Sequence, residues 1–326
     1  MTSLVKLLML RLAVACVLLT VASSAAQDSD GVLRALIRST PDLEAERLTV
    51  TVDPSVNLEG ISAVAADASG NLHVIHRPTN GGDPIVVLDR HGKLVRSFGR
   101  GVFEIPHGIR IDSSGNVWAT ESSKASKVVR FSSTGTKLLE INVRDMVPAH
   151  GTVQRDREVP QVGATDIAFG PNGTVYVTDG YQNARVMVFD ANGTLIREWG
   201  RPGTGPGEFR VPHGIAVRND IVYVADRENG RLQWFDLNGV FKGQWVLGGQ
   251  FYNVAFAADG TLWASTHPAG VPLEQEFHVV RLDMATGRPN GKIAVRSHEL
   301  AIAPDGLILP ATRTGELVAF RVPAGR

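Results

Sequence analysis

Residues 166–199 contain four short β-strand patterns in succession: DIAF (166–169), VYVTD (175–179), VMVFD (186–190) and LIREW (195–199). Tight turns join the first pair and the last pair, and each turn carries an Asn-Gly dipeptide, in PNG (171–173) and ANG (191–193). Glycine reaches the positive φ angles that two-residue hairpin turns require. The stretch therefore predicts one antiparallel sheet of four strands.

This pattern recurs in six copies, near residues 59–99, 105–142, 163–200, 211–246, 251–295 and 297–322. A period of about 40 residues with four strands per copy is typical of β-propellers, in which each copy forms one blade. The sixth copy ends one strand short, while the segment from Arg47 to Asp53 (RLTVTVD) is a strand pattern ahead of the first copy. We therefore predict an all-β, six-bladed propeller whose ring is closed by this N-terminal strand.

The first 26 residues have the features of an export signal. Lys6 and Arg11 form a basic start, residues 12–21 are apolar, and Ser24-Ala25-Ala26 is a small-residue cleavage site. The predicted organisation is a signal peptide at 1–26, an N-terminal segment with the closing strand at 27–58, and a single propeller domain at 59–326. We expect a periplasmic or extracellular monomer that is soluble after signal cleavage.

The composition excludes several classes of function. The only cysteine, Cys16, lies inside the signal, and lipid attachment is not expected there because the preceding apolar run is short and interrupted by Arg11. The mature chain then has no disulfide, cysteine metal ligand or cysteine nucleophile. Lys and Arg total 33, as do Asp and Glu, which argues against nucleic-acid or anionic-membrane binding. No later apolar stretch is long enough to span a membrane.

Three of the nine histidines occupy one position of the repeat. Counting back eight residues from each turn glycine, and aligning the fourth copy by VPHGIAV, gives the series Ser62, His107, Thr165, His213, Tyr252 and His298. In a closed ring the three histidines lie about 120° apart and point at one axis. Three neutral imidazoles with an open fourth position match a catalytic zinc centre. Packing at the channel rim is the alternative.

The loop after the second strand of each copy holds further candidates. Antiparallel order places this loop on the same face as the start of the first strand, where the histidines stand. It contains Arg77 in copy one, Tyr181 in copy three and Arg227 in copy four, and the two arginines occupy the same slot. The alternatives are ion pairs with Asp179 or Asp226 for the arginines and an ordinary rim aromatic for the tyrosine.

Other polar residues are assigned to structure. Arg185 and Arg231 recur within the repeat together with Asn183 and Asn229, so we expect them to hold the loops in place. Six histidines lack the repeat position and are predicted to be surface or packing residues: His73, His76, His91, His150, His267 and His278.

The strings PHGIRIDSSGNVW (106–118) and VPHGIAV (211–217) resemble NHL-repeat propellers. Together with VIHR (74–77), TDGYQNAR (178–185) and VADRENGR (224–231), they are similar to the peptidyl-α-hydroxyglycine α-amidating lyases, over nearly all of residues 59–322. The resemblance implies that His107, His213 and His298 bind catalytic zinc and that Arg77, Arg227 and Tyr181 belong to the active site. It also implies a structural calcium held by the backbone carbonyls of Val64 and Ile109 and by Glu299.

The reaction implied by the resemblance is cleavage of the N–C bond of an N-(α-hydroxy)glycine to an amide and glyoxylate. Zinc would ease deprotonation of the substrate hydroxyl, Tyr181 would act as the base, and Arg77 or Arg227 would hold the carboxylate. The pKa of Tyr181 would have to be lowered for this role, and adjacent positive charges act in that direction. The chain departs from the family at Glu299, where the animal enzymes carry aspartate, and we expect no copper monooxygenase domain in it.

Two other functions are compatible with such a propeller. The first is a non-catalytic NHL-type module that binds a peptide or protein at its channel face. The second is a calcium-dependent lactone hydrolase, but such sites need clustered carboxylates and asparagines where this repeat offers histidines. Zinc binding separates the lyase from the binding module.

Overall fold

The computed structural model describes residues 31–146, 163–268 and 275–323, which form six antiparallel sheets of four strands each. This arrangement confirms the predicted six-bladed, all-β architecture. The predicted signal peptide at 1–26, with Cys16, lies outside the described residues, as does His150. No helix among the described ranges is long and apolar enough to cross a membrane.

Strand β1 (Glu46–Thr49) precedes the blades. Blade one consists of β2 (Ala63–Ala66), β3 (Leu72–Ile75), β4 (Ile85–Leu88) and β5 (Leu94–Phe98). Blade two consists of β6 (Pro106–Ile111), β7 (Val117–Glu121), β8 (Lys127–Phe131) and β9 (Lys137–Asn142). Blade three consists of β10 (Ala164–Phe169), β11 (Val175–Asp179), β12 (Arg185–Phe189) and β13 (Leu195–Trp199).

Blade four consists of β14 (Pro212–Arg218), β15 (Ile221–Asp226), β16 (Arg231–Asp236) and β17 (Phe241–Val246). Blade five consists of β18 (Gln250–Phe256), β19 (Leu262–His267), β20 (His278–Leu282) and β21 (Pro289–Ala294). Blade six contains β22 (Leu300–Ile302), β23 (Ile308–Pro310) and β24 (Val318–Arg321). Residues 31–39 are α-helical, and short 3₁₀ helices occur at Val143–Asp145, Pro171–Gly173 and Arg227–Asn229.

The first strand of each blade lines the channel. Strands β2, β6, β10, β14, β18 and β22 contact one another in this order, and β22 returns to β2. The ring is therefore closed, and in blades one to five the strands follow outward from the first strand in chain order.

The N-terminal strand completes blade six, as predicted. Strand β1 pairs antiparallel with β24, with Glu46 opposite Arg321 and Thr49 opposite Val318. The segment then passes to blade one, where the Asp53 amide donates to the Gly92 carbonyl at 2.9 Å. Closing the ring in this way covers the edge of blade six, which would otherwise expose unpaired backbone groups.

Aspartate side chains organise the hairpin turns. In blade two, Asp112 Oδ1 accepts the backbone N–H groups of Ser114 and Asn116, each at 2.9 Å, and Gly115 adopts a φ of 79°. The same arrangement around Asp67 and Asp190 shapes turns of blades one and three. Repeated turn chemistry is why the period is readable in the sequence.

The core is divided into layers between neighbouring blades. Buried side chains of blades one and two, including Ile85 and Phe131, form one such cluster, and blades three and four share another around Phe209 and Phe235. Each blade thus packs face to face with the next, and the packed blades form a continuous ring around the channel.

Candidate functional site

The histidine position coincides with an irregularity of the innermost strand. The pairing of β6 with β7 shifts register between Pro106 and Ile109, and the pairing of β14 with β15 shifts between Pro212 and Ile215. A bulge of this kind re-aims a side chain at the rim of a sheet. His107 and His213 each lie inside such a bulge.

All three predicted histidines meet in the buried centre of the ring. Their ring centroids are 4.8–5.1 Å apart, and their Nε2 atoms converge on the hydroxyl of Tyr181. The distances to Tyr181 Oη are 2.9 Å from His107, 3.1 Å from His213 and 3.5 Å from His298. The structure thus brings together four of the predicted site residues.

Backbone carbonyls orient two of the imidazoles. Nδ1 of His107 lies 2.8 Å from the Thr165 carbonyl, and Nδ1 of His213 lies 2.8 Å from the Tyr252 carbonyl. A carbonyl can only accept, so each Nδ1 carries the proton and each Nε2 presents a lone pair inward. Nδ1 of His298 has no hydrogen-bond partner among the described residues.

The environment keeps these imidazoles neutral. Burial lowers the pKa of His107, His213 and His298 well below the usual histidine value, and neighbouring guanidinium charges act in the same direction. The Nε2 lone pairs of His107 and His213, together with Nε2 of His298, therefore face one phenol that has a single proton to donate. Such a set could hold a metal ion, and three imidazole nitrogens suit zinc. The residues therefore fit a bound zinc ion.

The glycines that follow the histidines permit this close approach. A Cβ at Gly214 would lie 2.5 Å from Asn253 Cα, and one at Gly108 would lie 2.9 Å from the Thr165 carbonyl oxygen. Blade six carries Glu299 at this place. His298 is also the one histidine of the three without a carbonyl partner on the next blade.

Glu299 lies on the opposite side of the imidazoles from Tyr181. Its Oε1 is 3.4 Å from His213 Nδ1 and 3.7 Å from His107 Nδ1. Burial raises the pKa of Glu299 well above the usual value, and the nearby Asp166 charge adds to this shift.

Two of the residues expected to hold calcium, Ile109 and Glu299, lie beside the Arg110 guanidinium, and calcium binding there stays a prediction. The Ile109 carbonyl accepts a hydrogen bond of 3.0 Å from Arg110 Nη1, and Glu299 Oε2 lies 3.6 Å from Arg110 Nη2. Val64 is a buried core residue of β2. The Arg110 guanidinium, which also pairs with Asp166 at 2.7 Å, thus supplies the positive charge beside Glu299.

Tyr181 is positioned by a close contact between blades. It follows Gly180, where a Cβ would lie 2.0 Å from the Pro212 carbonyl oxygen, so only glycine allows the loop to pass. Burial raises the pKa of Tyr181, while the charges of Arg227, Arg313 and Arg77 lower it by less. The predicted lowering by guanidinium charge is therefore present but outweighed by burial.

The two predicted arginines have different surroundings. Arg227 lies over the rings of Tyr181 and Tyr252, at 5.3 Å and 5.1 Å, and pairs with Glu228 at 2.9 Å. Arg77 donates from Nε to the Pro106 carbonyl at 3.2 Å, and its buried Nη2 has no partner among the described residues. Neither forms the ion pair with aspartate that the sequence left as the alternative.

Those aspartates bind the other arginines instead. Asp179 accepts from Arg185 at 2.8 Å and from Asn183 at 2.9 Å, within blade three. Asp226 accepts from Arg231 and Asn229, both at 2.7 Å, within blade four. The prediction that these arginines and asparagines hold the loops is confirmed.

The remaining described histidines have structural surroundings. His73 bonds Asp67 at 3.1 Å, His76 contacts the Asp83 carbonyl at 3.1 Å, and His267 stacks on Phe277. His91 and His278 lie away from the imidazole cluster, the first of them exposed in a turn.

Sequence reasoning missed Arg313. It stands five residues after Ile308 in blade six, as Arg77 stands five after Leu72 in blade one. Its positive charge lowers the pKa of all three histidines and of Tyr181. The alignment that identified the other two arginines, extended to the last copy, would have identified it.

Fold and site together define a six-bladed propeller with a buried three-histidine centre on its axis. A family model described as a 6-bladed beta-propeller matches residues 165–290. The virginiamycin B lyase of Staphylococcus aureus has a similar structure, with a TM-score of 0.56, 14% identity, and coverage of 86% of this chain and 99% of that chain. At this identity the likeness shows the fold alone.

The sequence relatives are more specific. A probable peptidyl-alpha-hydroxyglycine alpha-amidating lyase of Caenorhabditis elegans is 28% identical over 78% of this chain and 80% of its own length. The peptidylglycine alpha-amidating monooxygenase of Rattus norvegicus is 34% identical over 54% of this chain, but the match spans only 20% of the rat protein. The chain is thus an NHL-like six-bladed propeller homologous to the peptidyl-α-hydroxyglycine α-amidating lyases, which confirms the resemblance.

Proposed function

We propose that this protein is a zinc-dependent lyase that cleaves the N–C bond of an N-(α-hydroxy)glycine to an amide and glyoxylate. The observation that carries the proposal is the convergence of three buried, neutral imidazoles on the hydroxyl of Tyr181. Homology to proteins named as amidating lyases supports the same reaction class. A peptide or small molecule that ends in hydroxyglycine is the proposed substrate.

In this proposal His107, His213 and His298 hold the zinc through Nε2. Zinc supplies a Lewis acid that lowers the pKa of an oxygen bound to it. The carbonyls of Thr165 and Tyr252 keep two of the rings in the required tautomer, as outer-shell partners of metal-binding histidines commonly do.

Tyr181 and the arginines complete the reaction. The hydroxyl proton leaves the substrate, the C–N bond breaks as the new C=O bond forms, and the amide nitrogen gains a proton. We assign the proton transfer to Tyr181 Oη, which lies within 3.5 Å of every Nε2. We assign binding of the substrate carboxylate to Arg77, because Arg227 already pairs with Glu228. Burial of the site excludes bulk water.

The test is glyoxylate release from an N-acyl-α-hydroxyglycine by purified, zinc-loaded protein, together with metal analysis. We expect about one equivalent of zinc. A His107→Ala/His213→Ala double variant should lose both zinc and activity, while His91→Ala, an exposed control, should keep both. Bound zinc with no glyoxylate above the uncatalysed rate, across several acyl groups, would refute the lyase. Protein without zinc uptake would favour the non-catalytic binding module.

We also propose that the chain is exported and cleaved after residue 26, and that the propeller acts as a monomer. Mass spectrometry of protein recovered from the periplasm or medium would locate the mature N-terminus, and an uncleaved chain recovered from the cytoplasm would contradict export.

A further inference from the structure

Blades one, four and six each carry an arginine at the same position of the repeat. The three arginines differ in their ion-pair and hydrogen-bond partners. Arg227 of blade four pairs with Glu228. Within the described residues, neither Arg77 of blade one nor Arg313 of blade six forms an ion pair. Arg313 donates from Nη1 to Ser62 Oγ at 3.2 Å, and Arg77 donates from Nε to the Pro106 carbonyl. Two part-buried guanidiniums from adjacent blades are therefore without an ion-pair partner among the residues that the structure describes.

These two charges are close enough to act on each other and on the same site. Burial and the adjacent Arg313 charge lower the pKa of Arg77 to about 10. The positive charges of both guanidiniums also lower the pKa of the Tyr181 phenol and of the His107 imidazole. Adjacent part-buried cations repel each other, and an anion bound between them would favour the charged form of both.

The backbone at Arg313 is strained. Its φ of 64° lies in the left-handed region, which arginine rarely adopts. The loop is held there by neighbours, because Thr314 accepts the Ile61 amide at 3.0 Å and its hydroxyl bonds Thr312 at 2.7 Å. The equivalent slot in blade three carries Gly180. Strain that the surrounding structure maintains is frequent at ligand-binding positions.

We propose that Arg313, together with Arg77, forms the subsite for the substrate carboxylate, while Arg227 orients Tyr181. Two guanidiniums from neighbouring blades can each donate to one carboxylate, which reduces the repulsion between them and fixes the orientation of the reacting carbon. The identity of the anion rests on the proposed function, whereas the existence of the subsite rests on the unpaired charges. Arg313 is thus a positioning and specificity residue.

The experiment measures binding of two matched probes by calorimetry. N-benzoylglycine has the carboxylate but lacks the reactive hydroxyl, and N-benzoylglycinamide lacks the carboxylate. Arg313→Gly should weaken binding of the acid by about 10- to 100-fold, the range for a lost hydrogen bond to a charged group, and leave the amide unchanged. Arg218→Ala is the control, because Arg218 is a half-buried arginine bonded to the Ala257 carbonyl at the far end of β14.

Thermal unfolding separates this role from a structural one. Glycine accepts the left-handed backbone and removes the repulsion with Arg77, so Arg313→Gly should unfold at or above the wild-type temperature. Unchanged affinity for the acid would overturn the proposal. Equal weakening of both probes with a lower unfolding temperature would overturn it too, because Arg313 would then be structural.

Kinetics distinguish this inference from the proposed reaction. If wild-type protein releases no glyoxylate but binds N-benzoylglycine in an Arg313-dependent way, the subsite stands and the reaction is wrong. If glyoxylate is released and Arg313→Gly leaves KM unchanged, the reaction stands and the Arg313 assignment is wrong.

Discussion

The even-numbered and odd-numbered blades place different groups at the same position of the ring. Blades two and four contribute imidazoles, while the next blades, three and five, contribute the backbone carbonyls of Thr165 and Tyr252 that accept their Nδ1 protons. Blades two and four thus supply imidazoles to the proposed metal site, and backbone carbonyls of blades three and five orient these imidazoles. A backbone carbonyl needs no particular side chain, which is why the odd positions can hold serine, threonine or tyrosine.

The junction of blades six and one departs from this pattern. Glu299 replaces the glycine found after the other two histidines, Nδ1 of His298 has no carbonyl partner, and Ser62 accepts from Arg313 instead. This is also where the chain closes the ring through β1. The least regular part of the ring therefore holds His298, Glu299 and Arg313.

The largest expected effect comes from removing an imidazole from an even blade. His213→Ala should abolish zinc binding and glyoxylate release together, because two imidazoles seldom retain a catalytic zinc. Ser62→Ala, at the same position of an odd blade, should retain zinc. Metal analysis and the glyoxylate assay measure both, and retained zinc in His213→Ala would refute the division between even and odd blades.

Removing the closing strand should be nearly as severe. A chain lacking residues 27–54 leaves β24 as an exposed edge and frees blade six, so we expect insoluble or markedly less stable protein. Soluble yield and thermal unfolding are the measurements. A truncated protein as stable as the full chain would count against closure by β1.

Tyr181→Phe tests the Tyr181 hydroxyl, which lies at the centre of the ring between the even and odd blades. Loss of a proton-transfer group typically costs about 100- to 10,000-fold in rate, so kcat should fall by this factor with little change in KM. Steady-state kinetics with a zinc-loaded variant measure it. Full activity would mean that the tyrosine assignment is wrong.

Gly214→Ala perturbs only the contact between an even blade and the next odd blade. The added Cβ would lie 2.5 Å from Asn253 Cα, so the Tyr252 carbonyl must move away from His213. Loss of such an outer-shell partner typically costs about 10- to 100-fold in metal affinity. Competition with a zinc chelator measures the change, and Gly115→Ala in a turn of blade two is the control for a general loss of stability.

The smallest effect is a pH dependence of the zinc-free protein. The pKa of His213 is lowered in the folded state, so unfolding takes up protons below about pH 6.5 and stability is lost as the pH falls from there. Each such histidine contributes at most about 1.4 kcal/mol per pH unit, and Glu299, whose pKa is raised, acts in the opposite direction. His213→Asn should therefore lose less stability than wild type between pH 7.5 and 5. Denaturant unfolding across this range measures the difference, and parallel curves would contradict it.

The sequence by itself determined the number of blades, the closing strand and the alternation of histidines. Each follows from local chemistry that repeats with a fixed period: hairpin turns around Gly115 and its equivalents, alternating apolar strands, and one position eight residues before the turn. In a closed ring, residues at the same position of the repeat lie at equivalent places around the axis. Arg313 was readable by the same count.

Only the tertiary structure decided which groups meet across blades. The pairing of His107 with the Thr165 carbonyl, of Arg227 with Glu228 and of Arg110 with Glu299 depends on distances of a few ångströms after the blades pack. Whether an arginine at the repeat slot finds a carboxylate is likewise set by its neighbours in space. Arg77 and Arg313 have the same repeat position as Arg227, yet in the described part of the chain neither of them forms an ion pair, whereas Arg227 pairs with Glu228.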